Sequence, residues 1–510
     1  MCSIYAMNTQ MQFDKHSFFL LVYYLLFFGK DNSMDLLNSL VGSINDFLWT
    51  YIIIVVLVGS GLWFTFSTGL IQLRALPEMV RLLTGELGRR PSGRKAISSF
   101  QAFCVSTASR VGVGNIAGVA IAIVTGGPGA VFWMWVIAFI GTATGFVEST
   151  LAQIYKIPRG HGLFHGGPAY YIQNALGQPA VAKLFAVLIS VTFGLIYVSV
   201  QANTIALSME KAFGIDTWVM GGILAVLSGA VIFGGIHRIA NFTTLLVPFM
   251  AGLYLLIALV VVIMHINEVP GMFALILHDA FSPQAAVGGG LGTVILTGIR
   301  RGLFSNEAGE GSIPNAAATA NVTHPVKQGL VQAFGVYVDT WIVCSATAFI
   351  VLLTGQYTIS GNTTGIALAQ DSLASVFGGG ASALLAVLIF LFAFSSVVGN
   401  YYYGEINIHF FGENTGTALF LYRTAVVVMV FFGCVAALGL VWNLADLFMA
   451  MICLTNLYAI GRLAPLARIA LTDYFAQKAA GKNPVFDPSV MPDQHGIVGW
   501  DEEQFKPQKH

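Results

Sequence analysis

Long apolar runs separated by short polar connections dominate the chain from about position 47 to position 463. A helix that crosses a bilayer needs about 20 mostly apolar residues. Eleven stretches reach that length: 47–69, 98–124, 130–155, 182–209, 217–236, 241–265, 288–320, 330–354, 380–404, 417–440 and 442–463. They are too long and too continuous for a barrel, whose strands alternate in face over about ten residues. The pattern predicts an all-α polytopic membrane protein. Residues 464–510 turn polar, carry Pro484, Pro488, Pro492 and Pro507, and read as a cytoplasmic tail hanging loosely in water. Residues 1–33 stand apart, because Phe18 to Phe28 is an apolar run too short to span. They read either as an extension upstream of a start at Met34 or as a signal segment, although no small-residue cleavage pattern follows.

Composition narrows the function. The chain is 56% hydrophobic and only 9% charged, against roughly 25% charged in soluble proteins, so the surface it presents is mostly lipid-facing. Its 24 basic and 24 acidic residues cancel, which leaves no electrostatic case for nucleic acid. Cys2, Cys104, Cys344, Cys434 and Cys453 show no metal-ligand spacing and no disulfide framework. Arg74, Arg81, Arg89, Arg90, Arg94 and Lys95 follow the first stretch, and Lys156, Arg159, Lys183, Arg238, Lys327 and Arg462 fall on the same side. The positive-inside rule then sets the first helix starting outside and the C-terminus in the cytoplasm of a plasma (inner) membrane.

Two stretches break the helical rule. FQAFCVSTASRVGVGNIAGVAIAIVTGG carries Gly112, Gly114 and Gly118 beside Arg110 and Asn115, and LTGIRRGLFSNEAGEGSIPNAAATA carries Gly302, Gly309, Gly311 and Pro314 with four charges. Irregular backbone at membrane depth survives only where protein or a watery cavity satisfies it. Both contain Asn-x-Ala-Gly, at Asn115–Gly118 and Asn306–Gly309, five stretches apart. An odd offset reverses the direction of crossing, so the two copies predict inverted repeats over about 98–265 and 288–463 with a site at mid-membrane. At such a break the outer half-helix offers N–H groups to a carboxylate, and the inner half offers carbonyl oxygens to an ammonium group or Na⁺. Ser395 and Ser396, mid-way along the ninth stretch, either complete an oxygen shell for Na⁺ or bond carbonyls of their own helix.

Other polar positions carry weaker signals. Glu148 and Asp339 lie near helix ends and are expected to bond to loops. Glu307, within the second break, either serves substrate or cation or pairs with Arg300 or Arg301. Tyr401, Tyr402 and Tyr403 are expected at the membrane interface. No HExxH, phosphate loop or paired catalytic constellation is present, so the chain is not expected to be an enzyme. A channel fits two broken helices poorly. A transporter-like sensor would need an output domain that the polar connections are too short to hold.

The segments STASRVGVGNIAG, HGGPAYYI, RRGLFSNEAGEGSIPNAAATA and FAFSSVVGNYYYGE resemble the alanine or glycine:cation symporter family, over about Met34 to Tyr474. The resemblance implies the leucine-transporter (LeuT) fold, with one peripheral N-terminal helix ahead of a 5+5 inverted repeat within residues 34–463. It implies inward symport of alanine or glycine with Na⁺ as coupling ion, no other cofactor, and a monomer in contact with lipid. A proton-coupled carrier of another small amino acid is the alternative. Residue by residue, Val113 and Gly114 would receive the substrate carboxylate on their N–H groups, and Asn115 would lie beside cation and substrate. Gln201 and Phe304 would line the pocket. Ser395 and Ser396, with the carbonyls of Ala108 and Val111, would hold the cation. The sequence departs from many relatives at Arg110 (a small residue there), Glu310 (Met) and Asn400 (Trp). Asn400 is expected to widen the pocket. Arg110 and Glu310 are expected to form a salt bridge that ties the broken helices together as a gate, the alternative being that each charge faces its own watery vestibule or a nearer partner such as Glu307.

Overall fold

A computed structural model describes residues 32–85, 96–160, 162–234, 236–281, 291–359, 363–412 and 415–500. Most of residues 1–33 and part of the Arg-rich loop, including Arg89, Arg90, Arg94 and Lys95, lie outside the described residues. The structure is almost wholly helical. Its main elements are α1 Asn38–Ser67, the amphipathic α2 Leu76–Gly85, the half-helices α3 Ser99–Arg110 and α4 Gly114–Gly126, and α5 Ala130–Ile154. There follow α6 Pro179–Phe213, α7 Thr217–Ile232, α8 Ile239–Met264 and α9 Val269–Ala280. The second half holds α10 Leu291–Asn306, α11 Ile313–Ala317, α12 Pro325–Leu353, α13 Gly365–Phe377, α14 Gly379–His409, α15 Gly416–Val435 and α16 Leu438–Ala479. Among the described residues the only named strands, Ile157–Pro158 and Phe164–His165, pair antiparallel with Ile157 opposite His165.

Among the described residues, eight helices are long and apolar enough to span alone, and α3 with α4 makes a ninth span bent by 51°. The other two predicted stretches fall short for physical reasons. The 16 residues of α7 rise only about 24 Å, and the stretch at 288–320 is divided between α10 and the five-residue α11. The elements that correspond in the two halves pack on each other, α5 along α12 and α6 along α14. Of the broken helices, α3 packs on α12 and α14, and α10 packs on α5.

The residues around each break explain it locally. α3 opens on a capping box, with Ser98 Oγ accepting from Gln101 N–H and Gln101 Oε1 accepting from Ser98 N–H. It ends where Val111 leaves helical geometry at φ −79, ψ 85. In the second break Glu307 takes a left-handed φ of 56, and Gly309 and Gly311 follow at 100 and 79. A non-glycine residue at such a φ is uncommon and costs free energy. Pro314 in the first turn of α11 restarts the chain.

Two expectations fail here. The C-terminal segment does not hang free up to residue 500. Phe486 donates its N–H to the Thr323 carbonyl (2.9 Å), and Trp500 Nε1 donates to the Gln153 carbonyl (3.1 Å) at the end of α5. Phe486, Met491 and Trp500 are buried; three large apolar side chains in a polar stretch find a surface to cover. Tyr401, Tyr402 and Tyr403 are buried too, because α14 runs through the middle of the bundle and not along its rim.

Candidate functional site

The first break brings together residues from four helices. Val113 N–H, at the start of the outer half-helix, donates to Gln201 Oε1 of α6 at 3.1 Å. The amide oxygen of Gln201 thus sits where a carboxylate oxygen would cap the helix. Phe304 of α10 covers the opposite wall: a Cβ at Gly114 would lie 2.8 Å from its ring and 3.2 Å from its carbonyl oxygen. Gly114 is therefore a close-approach glycine, needed because aromatic ring and backbone touch. The Phe304 ring lies 4.9 Å from the ring of Tyr197 and 4.8 Å from that of Trp442. Trp442 also borders a cavity of ≈ 340 Å³, bounded by Thr125, Thr297, Arg300, Arg301 and Asp446 among others.

The four residues expected at the cation are only partly assembled. Ser396 Oγ reaches across from α14 to donate to the Ala108 carbonyl at 2.8 Å, and it also lies 3.1 Å from the Phe392 carbonyl of its own helix. Ser395 Oγ stays on α14, donating to the Phe392 carbonyl at 2.8 Å, with Met250 Sδ at 3.9 Å. Gly112 makes the Ser396 approach possible, since a Cβ there would run into Ser396 and lie 2.9 Å from Gln201 Oε1. One glycine thus serves both the Gln201 contact and the Ser396 contact.

Asn115 acts as a brace across the gap. Its Oδ1 accepts from Gly112 N–H (3.0 Å), and its Nδ2 donates to Ser305 Oγ and to the Asp339 carbonyl, both at 2.9 Å. Asn400 reaches the break through Ser109, whose Oγ lies 2.6 Å from Asn400 Oδ1 and 2.9 Å from Glu307 Oε1.

The expected Arg110–Glu310 bridge is not formed. Arg110 Nε lies 3.1 Å from Asp339 Oδ2 of α12, with both side chains fully buried, and Arg110 Nη2 is 3.4 Å from Gln332 Oε1. The Nε–Oδ2 approach is a charge contact without the alignment of a hydrogen bond. The guanidinium leaves the end of α3 toward α12 because Gly335 opens a space there, which a Cβ would fill. Glu310 Oε2 instead accepts from Tyr197 OH at 3.1 Å. Of the two acids expected to bond to loops, Glu148 does so, whereas among the described residues the Asp339 carboxylate accepts no hydrogen bond from a loop. Glu148, fully buried, accepts from Gly309 N–H (3.2 Å) and Asn456 Nδ2 (2.8 Å) and so steadies the second break from α5 and α16. Arg300 and Arg301 both turn to Asp446, at 3.4 and 2.5 Å, not to Glu307. Sequence reasoning missed Ser109, Tyr197, Gln332 and Asp446; each is a polar residue within or beside an apolar stretch, the one signal that could have raised them.

Residues 34–488 match the sodium:alanine symporter family. The chain belongs to that family. A probable sodium/glutamine symporter, GlnT of Bacillus subtilis, is 50% identical over 93% of this chain and 98% of its own length. The amino-acid carrier protein AlsT of the same organism is 50% identical over 92% and 98%. The sodium/alanine symporter AgcS of Methanococcus maripaludis is 38% identical over 82% and 93%. Among solved structures, MhsT in complex with L-phenylalanine superposes with a TM-score of 0.54 at 12% identity, covering 79% of this chain and 92% of that one. That likeness shows the LeuT fold. The chain is thus a Na⁺-coupled amino-acid symporter and not an enzyme.

Proposed function

We propose that the protein carries alanine and glycine into the cell together with Na⁺, binding both at the break between α3 and α4. The observation that carries this reading is the pair of contacts made across Gly112: Gln201 Oε1 on Val113 N–H, and Ser396 Oγ on the Ala108 carbonyl. The substrate carboxylate caps Val113 and Gly114 in the position that the Gln201 amide oxygen takes, with Phe304 as the wall and Asn400 at the side-chain end. Na⁺ takes its oxygens from Ala108, Val111, Ser395 and Ser396, which requires the Ser395 hydroxyl to turn from Phe392; Asn115 holds the frame. The N-terminus lies outside and the C-terminus in the cytoplasm of the inner membrane, in keeping with the basic residues between the spans. Repeats over about 98–265 and 288–463 give the two faces alternating access to this site, and one protomer carries the whole path.

A wider substrate range that includes glutamine is favoured by the polar atoms of Asn400 and Glu310, since Asn400 Nδ2 and Glu310 Oε1 are buried without partners. The deciding experiment is counterflow of labelled alanine in proteoliposomes, with glycine and glutamine as competitors. Changing both Ser395 and Ser396 to Ala should raise the Na⁺ concentration for half-maximal uptake. Unchanged Na⁺ dependence in the double variant refutes the cation site, and full uptake driven by a proton gradient without Na⁺ refutes the coupling.

A further inference from the structure

Four buried carboxylates stand near the second break, and their partners differ. Asp339 has the Arg110 guanidinium. Glu148 has two N–H donors. Glu310 has the Tyr197 hydroxyl on one oxygen only. Glu307 sits between the two broken helices, 2% exposed, on the left-handed backbone noted above. Its Oε1 faces Ser109 Oγ of α3 at 2.9 Å, and its Oε2 faces Ser312 Oγ at 2.6 Å. Among the described residues it forms no ion pair, and Arg110, the cation beside Ser109, is committed to Asp339.

The group is short of hydrogens. Ser109 Oγ lies within reach of Glu307 Oε1 and of Asn400 Oδ1 (2.6 Å), yet a hydroxyl has one proton to give. Turning the Asn400 amide over lets its nitrogen donate to Ser109, and then Asn400 Oδ1 is the atom left over. In either orientation one buried Asn400 amide atom lacks a partner, and Glu310 Oε1 lacks one as well. Buried polar atoms without partners beside an unpaired carboxylate cost free energy, and a ligand carrying several N–H donors and a positive charge removes that cost.

We infer that Glu307 receives the α-ammonium group of the substrate. This assignment rests on the carboxylate site at Val113 and Gly114 proposed above. Ser109 lies in the last turn of the inner half-helix, and Val113 opens the outer half across a gap of three residues. An α-amino acid carries its two charges on one carbon, so its poles need facing lips of a single gap; Ser109–Glu307 and Val113–Gly114 are those lips. The ammonium supplies three N–H donors, to Glu307 and to the acceptors around it, while the carboxylate takes the helix end. The hydroxyls of Ser109 and Ser312 hold the Glu307 carboxylate in place from both sides. This explains why a strained residue at position 307 carries a charge: it selects for a free amino group.

The test compares L-alanine with propionate, which has the same carbon skeleton and no amine, as competitors for labelled alanine on the purified full-length protein in Na⁺. Wild type should bind propionate about 30-fold or more weaker than alanine, the loss expected when one partner of a buried charge pair is removed. Glu307→Gln should weaken alanine by a similar factor while leaving propionate unchanged or tighter, and thermal stabilisation by Na⁺ should persist. A merely structural role would weaken both ligands alike. Ser312→Ala, which leaves the charge in place, should weaken alanine several-fold with propionate unaffected, and it tests the assignment independently of how Glu307→Gln folds. Alanine binding that survives Glu307→Gln overturns the assignment, as does wild-type protein that binds propionate as tightly as alanine, or loss of Na⁺ stabilisation alone, which would make Glu307 a Na⁺ ligand. Wild type that binds no alanine overturns the site reading itself, and this assignment with it.

Discussion

Removing either member of the Arg110–Asp339 pair should destabilise the protein far more than removing both. The two charges have no exposed side-chain surface and approach to 3.1 Å. At that separation the Coulomb attraction is about 5 kcal/mol for an effective dielectric near 20. Withdrawing each ion from water costs several kcal/mol, so the intact pair adds little net stability. Arg110→Met alone leaves Asp339 buried and uncompensated, and Asp339→Asn alone leaves the guanidinium so; each should cost about 3–5 kcal/mol. The double variant Arg110→Met with Asp339→Asn strands no charge and should cost less than either single change, giving a coupling of at least about 3 kcal/mol. Gly335→Ala should reproduce part of the single-variant loss, because its Cβ would enter the space that the guanidinium fills. The assay is unfolding of the purified variants in detergent, by temperature and by denaturant. A parallel cycle with Arg110→Met and Glu310→Met should be additive, since Glu310 bonds to Tyr197 and not to Arg110. Additive losses in the Asp339 cycle, or strong coupling in the Glu310 cycle, refute the reasoning.

Gly112→Ala should push Ser396 and Gln201 off the broken helix together, an overpacking cost of about 1–3 kcal/mol; both the Na⁺ requirement and the alanine KM should rise, and a change in one without the other would separate the two contacts. Asn400→Trp should narrow a competition panel toward glycine and alanine, and identical panels for both proteins would remove Asn400 from the pocket. On α2, outside the spans, burial pushes the Glu78 carboxyl up, but hydrogen bonds from Arg81, Lys478 and Tyr474 outweigh it and lower its pKa from 4.5 to about 2. A folded-state pKa below the unfolded one gives stability that is present above 4.5 and lost as pH falls through about 2; Glu78→Gln should flatten that acid limb of the stability profile, and an unchanged limb would contradict it. Trp500→Ala removes a ring that lies 4.1 Å from Lys156 Nζ and donates to two carbonyls at the end of α5; limited proteolysis should then cleave the segment from 480 to 500 faster, and equal cleavage rates would show that Trp500 does not anchor it.

Length and apolarity alone determined that this chain crosses a membrane many times, because a buried backbone in lipid has to satisfy its own hydrogen bonds within helices. The two breaks were legible for the same reason in reverse. Glycines at 112, 114, 309 and 311, with Pro314 and charges beside them, cannot make a continuous lipid-facing helix. Ser98 and Gln101 likewise announce the start of α3 within four residues. All of these are short-range effects, settled by neighbours along the chain. Partner choice is not. Arg110 had Glu307, Glu310 and Asp339 within the same apolar surroundings, and only the packing of α12 against α3, with space opened at Gly335, decided for Asp339. The tail looked free because its composition is polar, yet three apolar side chains spaced along it found cover against the ends of α5 and the segment before α12. Ser395 and Ser396 are adjacent in sequence, but only Ser396 faces Ala108, since successive residues on a helix point about 100° apart. A side chain's chemistry is written in the sequence; which group it meets depends on the angles and distances at which whole helices pack.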